Sequence, residues 1–357
     1  MVRVICRVKP PCDNNTNITE ENKILFTKKE KSLIHKEKFS SKIYKLDKFY
    51  DEKTLNINIF NKEVFPLLIN SFYLFVYGHT GSGKTYTLFG KNDSPGIIDY
   101  IFKEIKYTAT IEAIELRYTG CFNIINNDCV TLLENNTKIK LYNVEKHKIN
   151  SFEDYFKLIN KIKSNRKTGK SKHNEESSRS HLIINIYHNN NKFVIVDLAG
   201  NERCPNMQKG NCYKETNYIN SSLLSLKECF RKSSINKKDY IPYRRSKLTR
   251  LLKEVFETKV NSLIISTIHS GIKYQNDTYD TLVYVSQFHK KFELQQNDYV
   301  TKYNRDISYN YNRPHTSPKS KKIKNKYYYP NDMTKLKPIS LEDYKCNNKY
   351  EKKIGKN

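Results

Sequence analysis

The chain has 357 residues, enough for one large domain or two ordinary domains with a substantial buried core. Its 64 lysines and arginines against 37 acidic residues leave a formal net charge of +27, which favours a polyanionic partner: nucleic acid, an acidic membrane face or an acidic protein lattice. The eight cysteines show no C-x-x-C pair, so neither a structural zinc site nor a disulfide framework is indicated, and no apolar run is long enough to span a membrane.

Residues 1–292 alternate β-branched or aromatic runs with helical patterns, which is typical of a layered α/β domain. In chain order, the apolar runs predict strands over residues 2–8, 73–77, 111–118, 181–188, 192–198 and 262–268. The helical patterns predict helices over residues 57–69, 97–105, 152–163, 214–232, 246–257 and 278–290, and a further helix beginning at Thr85. Asn189 and Asn190 predict a hairpin turn because Asn tolerates positive φ, and Ser246 predicts a helix N-cap.

Residues 293–357 differ in composition from the rest, being rich in Tyr, Asn, Lys and Pro and poor in aliphatic residues. Such a segment buries too little apolar surface to offset the entropy lost on ordering, so we predict a basic, disordered tail. Two interpretations of it stay open: an electrostatic tether to an acidic surface, and a biased segment without function. Because no heptad repeat follows the folded part, we expect a monomer and no coiled-coil dimer.

A phosphate-binding motif follows the second predicted strand. Residues 78–85 read G-x-x-x-x-G-K-T and lead into a helix. In such a loop the glycines let backbone N–H groups turn towards phosphates, the lysine reaches the β- and γ-phosphates, and the threonine hydroxyl binds Mg²⁺. A glycine-rich surface turn would not account for Lys84 and Thr85. The predicted nucleotide-binding residues of the loop are Gly78, His79, Thr80, Gly81, Ser82, Gly83, Lys84 and Thr85.

Two further segments supply groups that phosphate chemistry requires. Asp197 ends an apolar strand and is a candidate to hold the water shell of a metal, although a carboxylate here also fits a helix cap. Gly200 lacks a Cβ and therefore lets its N–H approach a γ-phosphate. The polar run 174–181 is typical of a solvated connection, but beside a phosphate loop its hydroxyls and Arg179 favour a γ-phosphate sensor.

Three motifs, in this order along the chain, resemble the phosphate loop, switch I and switch II of the kinesin motor-domain family. They are Gly78-x-x-x-x-Gly83-Lys84-Thr85, Asn174-x-x-Ser177-Ser178-Arg179-Ser180-His181 and Asp197-Leu198-Ala199-Gly200-x-Glu202. Segments 219–226 and 241–252 resemble the switch II helix and the loop and helix that meet the microtubule in this family. The resemblance extends over roughly residues 3–288.

The resemblance implies a P-loop NTPase of the α/β class, with a central mixed β-sheet flanked by helices on both faces. It implies a cytoplasmic ATP hydrolase that uses ATP and Mg²⁺ and binds microtubules of the cytoskeleton or spindle. Such an enzyme moves along microtubules or disassembles their ends. A nucleic-acid-binding P-loop ATPase is supported by charge alone, because no aromatic-plus-basic binding module accompanies the loop.

By the same resemblance, Arg179 and Glu202 form the salt bridge that closes the switches, and Asn220 relays the state of the site. The implied catalytic residues are Ser177, Ser178, Arg179, Asp197, Gly200, Glu202 and Asn220. The implied Mg²⁺ ligands, partly through water, are Thr85, Ser178 and Asp197. The implied adenine-side residues are Arg7, Lys9, Pro10 and Tyr86, and the implied tubulin-facing residues are Arg244, Lys247 and Arg250. Ordinary solvated basic residues would give the same pattern at the last three.

Several positions depart from the family pattern. Lys9 replaces a usual Arg and lacks its planar stacking surface. His79 replaces a usual Gln in the phosphate loop, and Ser221 and Val283 replace a usual Lys and Arg. Segment 138–150 is shorter than the usual microtubule-facing hairpin. These departures bear on turnover rate and track affinity more than on the ATP site.

The class within the family is open at the level of sequence. Switch segments 174–177 and 201–203 most resemble the internal-motor, microtubule-depolymerising class, yet the Lys-Val-Asp loop of that class is missing from segment 35–43. A translocating motor is the second hypothesis. A microtubule-binding scaffold that has lost turnover is the third, and it is disfavoured because a scaffold needs neither Lys84 nor Asp197.

Overall fold

The computed structural model describes residues 2–10, 23–30, 38–91, 94–135, 139–168, 179–200, 211–235, 240–258 and 260–288. The site residues Ser177, Ser178 and Glu202 lie outside these ranges, and so does the tail at 293–357. What the sequence predicts for them stays a prediction. Among the described residues, no helix has both the length and the apolarity needed to cross a bilayer.

The described strands are short to medium in length and spread along the whole folded part. They are β1 Val2–Lys9, β2 Lys23–Glu30, β3 Lys38–Lys45, β4 Lys48–Tyr50, β5 Phe72–Tyr77, β6 Ala109–Arg117, β7 Gly120–Asn123, β8 Thr131–Glu134, β9 Ile139–Tyr142, β10 His147–Ile149, β11 His181–His188, β12 Asn191–Asp197 and β13 Asn261–His269.

The described helices range from single turns to the long helix α5. They are α1 Asn56–Ile59, α2 Lys84–Phe89, α3 Ile97–Glu104, α4 Phe152–Thr168, α5 Asn211–Ile235, α6 Lys247–Leu251, α7 Lys253–Glu257 and α8 Gln275–Ser286. A π-helix at Phe60–Val64 and 3₁₀ turns at Phe65–Leu67, Tyr243–Arg245 and Ile272–Tyr274 complete the helical segments of the described part.

Nine of the described strands form one mixed sheet in the order β10-β6-β11-β12-β5-β13-β1-β4, with β7 paired to β6. Neighbours from β12 to β4 run parallel, whereas β11, β6, β7 and β10 pair antiparallel. Strand β5 therefore lies between β12 and β13, and all three end at the same edge. A ligand beyond the end of β5 is within reach of residues from both neighbours.

Strand β5 shows why helices cover both faces of the sheet. All six residues of Phe72–Tyr77 are buried, and alternate side chains point to opposite faces because a strand has a period of two. One set, Tyr73, Phe75 and Tyr77, packs in the core with α5 to α8, and the other set, Phe72, Leu74 and Val76, packs with α1 to α4. The predicted mixed sheet with helices on both faces is confirmed.

Two local predictions are confirmed in detail. Asn189 and Asn190 have φ values of 45° and 64° and form the turn between β11 and β12. The Ser246 Oγ accepts a hydrogen bond from the Thr249 backbone N–H at 3.1 Å, which caps the start of α6.

Two predicted helices differ from those observed. Segment 57–69 changes from α to π to 3₁₀ geometry within twelve residues, and Pro66 accounts for part of this because it has no N–H for an α-helical bond. Segment 246–257 is two helices, since buried Leu252 leaves helical dihedrals with φ −97° and ψ 14°. The strand pairs β2–β3 and β8–β9 were not predicted, because lysines interrupt the apolar pattern of the first pair and the strands of the second pair have only four residues each.

Candidate nucleotide and switch site

The phosphate loop connects β5 to α2 at the edge where β12, β5 and β13 end. Gly81 and Gly83 have φ values of 81° and 105°, in the left-handed region that favours glycine. A Cβ at either position would meet no atom within 4 Å, so backbone conformation, and not space, requires glycine at these two positions. Gly83 is also the N-cap of α2, which directs backbone N–H groups of the first helical turn towards the loop.

Close approach to β13 requires the first glycine of the loop. A Cβ at Gly78 would lie 2.3 Å from the Thr267 carbonyl oxygen and 2.6 Å from Ser82 Oγ. The Ser82 and Thr267 hydroxyls share a 2.7 Å hydrogen bond. The loop is therefore seated on β13 by a backbone contact that no larger residue at position 78 permits.

Lys84 lies inside the loop, with 8% of its surface exposed. Its Nζ donates hydrogen bonds to the carbonyl oxygens of Gly78 at 2.6 Å and His79 at 3.1 Å. A buried ammonium is stabilised only where oxygen atoms surround it. The loop thus holds a positive charge where a β- or γ-phosphate would enter.

An aromatic stack adjoins the far side of the loop. The His79 ring, 1% exposed, lies 5.3 Å from the Tyr274 ring at an interplanar angle of 23°, and Tyr274 lies 4.3 Å from the His269 ring. The backbone N–H of Gly271 donates to His269 Nδ1. This stack joins the phosphate loop to the end of β13 and to the 3₁₀ turn that leads into α8.

Asp197 ends β12 and is 1% exposed. One carboxylate oxygen forms a buried ion pair with Arg166 of α4, and the other, Oδ1, has no hydrogen-bond partner within the described part of the chain. A buried carboxylate oxygen without a partner is costly unless a ligand completes it. Asp197 therefore has one oxygen fixed by Arg166 and one oxygen available to a ligand.

Sequence reasoning missed Arg166. The predicted helix ended at residue 163, whereas α4 continues to Thr168 and brings Arg166 to β12. Neighbouring Asn165 donates to the Ile124 and Ile125 carbonyl oxygens, which anchors this end of the helix. An arginine in the last turns of a helix is ordinarily a favourable partner of the helix dipole, so nothing in its position marked it as part of a site.

A cavity of about 620 Å³ extends from Asp197 and Lys84 along the loop to the predicted adenine side. The predicted adenine-side residues Arg7, Lys9, Pro10 and Tyr86 line this cavity. The Arg7 guanidinium lies 5.0 Å from the centre of the Tyr86 ring and is also hydrogen-bonded to Asn56 and Thr87. These contacts fix a flat face of Tyr86 at the wall of the cavity.

Lys9 contacts the phosphate loop in addition to lining the cavity. Its Nζ donates to the Gly81 carbonyl oxygen at 2.7 Å. A point charge on a flexible stem can reach this oxygen, whereas an arginine would present a planar fork. The replacement of Arg by Lys therefore places a compact ammonium, in place of a planar guanidinium, against the loop backbone.

The described part of the switches contains Arg179, Gly200 and Asn220. Arg179 forms an ion pair with Glu215 of α5 at 3.1 Å, and both side chains are about one-fifth exposed. The partner implied by resemblance, Glu202, lies outside the described residues, so the predicted bridge stays a prediction. Gly200 is buried just beyond Asp197, and Asn220 is exposed on α5.

Two of the three predicted track-facing residues, Arg244 and Arg250, are paired with one acid. Glu134, at the end of β8, accepts hydrogen bonds from Arg244 and the Tyr243 hydroxyl, each at 2.9 Å. Arg250 and Lys253 lie 3.9 and 4.0 Å from the same carboxylate. The Arg244 guanidinium lowers the pKa of Glu134. Arg244 and Arg250 are thus not simply solvated, whereas Lys247, at the start of α6, is half-buried.

The loop after β5, the helix after the loop and the buried carboxylate at the end of neighbouring β12 define a P-loop nucleoside triphosphatase. The Kinesin motor domain family matches residues 7–290, and the chain belongs to this family. The resemblance drawn from the three motifs is confirmed.

Individual relatives agree with this assignment. The chain is 30% identical to the kinesin-like protein Klp61F of Drosophila melanogaster over 290 residues, which is 68% of this chain and 27% of the relative. It is 32% identical to the kinesin-like protein KIP3 of Saccharomyces cerevisiae over 279 residues, which is 68% of this chain and 35% of the relative. The chain thus spans about a quarter to a third of the length of these curated relatives.

A solved motor-domain structure supports the same family assignment. The motor domain of the Saccharomyces cerevisiae kinesin-like protein KAR3 superimposes with a TM-score of 0.63 and 25% identity. The match covers 81% of this chain and 99% of that domain. The predicted fold class is confirmed by both comparisons.

Proposed function

We propose that this chain hydrolyses ATP in a reaction that requires Mg²⁺ and that microtubules accelerate. The observation that carries the proposal is the pairing, at the ends of neighbouring strands, of Lys84 inside the loop with Asp197, whose Oδ1 has no partner among the described residues. A positive group for phosphate oxygens and a carboxylate for a metal's water shell are what phosphoryl transfer requires.

The residues of the site fit Mg²⁺. Asp197 offers an unpartnered carboxylate oxygen, and Thr85, which lines the same cavity, offers a hydroxyl at the start of α2. Magnesium prefers such hard oxygen ligands and keeps several waters. When bound, it supplies charge neutralisation at the β- and γ-phosphates.

The chain's own residues bind and orient the nucleotide. The loop backbone and Lys84 bind the phosphates, and the ion pair with Arg166 fixes the direction of the Asp197 carboxylate. Tyr86 and Pro10 contact the base, since both line the far end of the cavity. In our proposal Arg179 exchanges Glu215 for Glu202 when the switches close, which excludes bulk water around the γ-phosphate.

Microtubules are the proposed polyanionic partner. Family membership supports this, and so does the basic surface formed by Arg244, Lys247 and Arg250 beside α5 and α6. We accordingly place the chain on the microtubule cytoskeleton, with the spindle as the finer proposal. Movement along microtubules and disassembly of their ends both follow from the same site, and no contact among the described residues favours one of them.

The test is the ATPase rate with and without microtubules. We expect microtubules to raise the ATPase rate and Lys84→Ala to abolish ATPase activity, because the variant removes the buried ammonium that the carbonyl oxygens of Gly78 and His79 hold in the loop. Lys62→Ala, an exposed lysine on the π-helix away from the cavity, is the matched control and should retain full activity. Wild-type protein that binds microtubules without turnover would leave only the scaffold hypothesis.

Two further assays separate the motor hypotheses. Filaments that shorten with protein and ATP would support end disassembly, and filaments that glide over immobilised protein would support translocation. Competition between microtubules and DNA tests the identity of the partner. It is measured at several salt concentrations, because nonspecific attraction to phosphates depends steeply on salt. Preferred binding to DNA would overturn the proposal.

A further inference from the structure

A fully buried histidine connects three elements beside the phosphate site. His181 begins β11, and none of its surface is exposed. The Ala199 backbone N–H donates to its Nδ1 at 3.0 Å, and its Nε2 lies 2.7 Å from Ser222 Oγ. One ring therefore joins the last residues of switch I to the end of β12 and to helix α5.

The hydrogen bonds fix the tautomer of this ring. A backbone N–H can only donate, so Nδ1 is the acceptor and carries no proton. Nε2 then carries the proton and donates to Ser222 Oγ, whose own hydroxyl donates to the Ile219 carbonyl oxygen at 2.7 Å. Burial, helped by the nearby charge of Arg166, lowers the pKa of His181 to about 3, so the ring stays neutral.

The three connected positions adjoin residues with proposed roles. His181 follows Arg179 by two residues, Ala199 directly precedes Gly200, and Ser222 follows Asn220 by two residues on α5. The imidazole is rigid, and water does not reach it to replace either hydrogen bond. A shift of the backbone at Gly200 therefore displaces α5 through the ring or breaks one of its two bonds.

We propose that His181 is a positioning residue that transmits movement of the backbone at Ala199 and Gly200 to α5 through Ser222. The inference rests on the proposed function and deepens it. It assigns the coupling between the nucleotide site and the microtubule to a residue that touches neither of them. A purely structural role is the alternative, since buried hydrogen bonds also stabilise the fold.

The experiment compares Ser222→Ala with Ser225→Ala. Ser225 lies almost one turn further along α5, is also buried, and donates only within the helix, to the Ser221 carbonyl oxygen at 2.8 Å. We expect Ser222→Ala to reduce the ratio of microtubule-stimulated to basal ATPase at least about 5-fold, the lower range of an allosteric coupling. Basal rate and ADP affinity should match those of Ser225→Ala, whereas the thermal midpoint of Ser222→Ala should be lower, because this variant leaves the buried His181 Nε2–H without an acceptor.

A second variant keeps half of the connection. In His181→Asn the side-chain amide oxygen can still accept from Ala199, whereas Ser222 is out of its reach. We expect it to lose stimulation as Ser222→Ala does, and the double variant to lose no more than either single variant, because all three break the same bond. Additive losses would overturn the proposal, as would equal stimulation in Ser222→Ala and Ser225→Ala.

Two readouts separate this inference from the proposed function. If the wild type shows no stimulation by microtubules, the proposed function itself fails, whatever the variants do. ¹⁵N spectra of the His181 ring test the connection without any track. They should show the Nε2–H tautomer without titration from about pH 5 to about pH 8. A ring that titrates in this interval would overturn the inference even in an active enzyme.

Discussion

The phosphate site and the basic surface around Glu134 are held by different kinds of contact. At the phosphate site, Asp197 and Lys84 are almost completely buried and bonded to backbone or to a buried partner. Around Glu134, the carboxylate is 15% exposed, but its partner Arg244 is 62% exposed and reaches solvent. Buried pairs are costly to break, whereas exposed pairs contribute little and exchange readily. The first region is built to keep its geometry and the second to change partners.

Asp197→Asn is expected to have the largest effect. It removes the carboxylate proposed for Mg²⁺, so the ATPase rate should fall at least about 100-fold, the scale of losing one charge-stabilising group. It also leaves Arg166 as a buried charge without its acid, which costs roughly 3–5 kcal/mol of unfolding free energy. Urea denaturation and steady-state ATPase measure the two effects.

The double variant Arg166→Met, Asp197→Asn separates the two effects. It removes both charges, so stability should recover while the ATPase does not. Recovery of activity together with stability would show that Asp197 serves the fold alone.

Gly78→Ala should have the next largest effect. The new Cβ would overlap the Thr267 carbonyl oxygen at 2.3 Å, and backbone at that distance cannot move away cheaply. We expect a loss of roughly 3 kcal/mol in stability and a large loss of nucleotide affinity. Gly120→Ala is the control, because its Cβ would meet only ring atoms of Phe122 at 3.2 Å, which can shift. Equal effects in both variants would contradict the proposed seating of the loop on β13.

The buried histidine makes stability depend on pH. His181 in the folded chain takes up a proton only near pH 3, whereas in the unfolded chain it does so near pH 6.5. Unfolding therefore binds a proton below pH 6.5, and the free energy of unfolding should fall by about 1.4 kcal/mol per pH unit through this group as pH decreases from 6.5. Urea denaturation between pH 7 and about pH 5 measures the slope. The free energy of unfolding of His181→Asn should depend less steeply on pH than that of the wild type. Parallel slopes would show that His181 does not cause the pH dependence.

Glu134→Gln should have the smallest effect on stability, because its partner Arg244 is 62% exposed and solvent screens the attraction between the two side chains. It releases Arg244 and Arg250 and removes a negative charge from the proposed track-facing surface. We expect microtubule affinity to rise about 2- to 5-fold, with a steeper salt dependence. Glu153→Gln, which breaks the exposed Lys157 pair on α4, is the control and should leave affinity unchanged. Cosedimentation at several salt concentrations distinguishes the two variants.

Sequence reasoning succeeded where a local pattern requires a local structure. The loop from Gly78 to Thr85, the N-cap at Ser246 and the turn at Asn189 each depend on residues within a few positions of one another. The mixed sheet followed from the family resemblance and from the apolar runs. These features use backbone conformations that few residue types permit, so the residues identify them.

The same reasoning failed where partners are distant in the chain. Arg166 and Asp197 are 31 residues apart, and Arg244 and Glu134 are 110 residues apart. His181 stood in a quoted motif, but only the packing of β11 against α5 shows that Ser222 is its partner. Charged residues are so often solvated that their pattern alone does not identify a partner.

The aromatic stack of His79, Tyr274 and His269 has an evolutionary consequence. A ring buried at position 79 leaves a hole if it is shortened and a clash if the ring facing it is turned or enlarged. The two positions should therefore have changed together as this lineage diverged, with an aromatic residue at 274 inherited wherever histidine occupies position 79. Related chains that have glutamine at position 79 are released from that constraint and should show a wider choice of residues at 274.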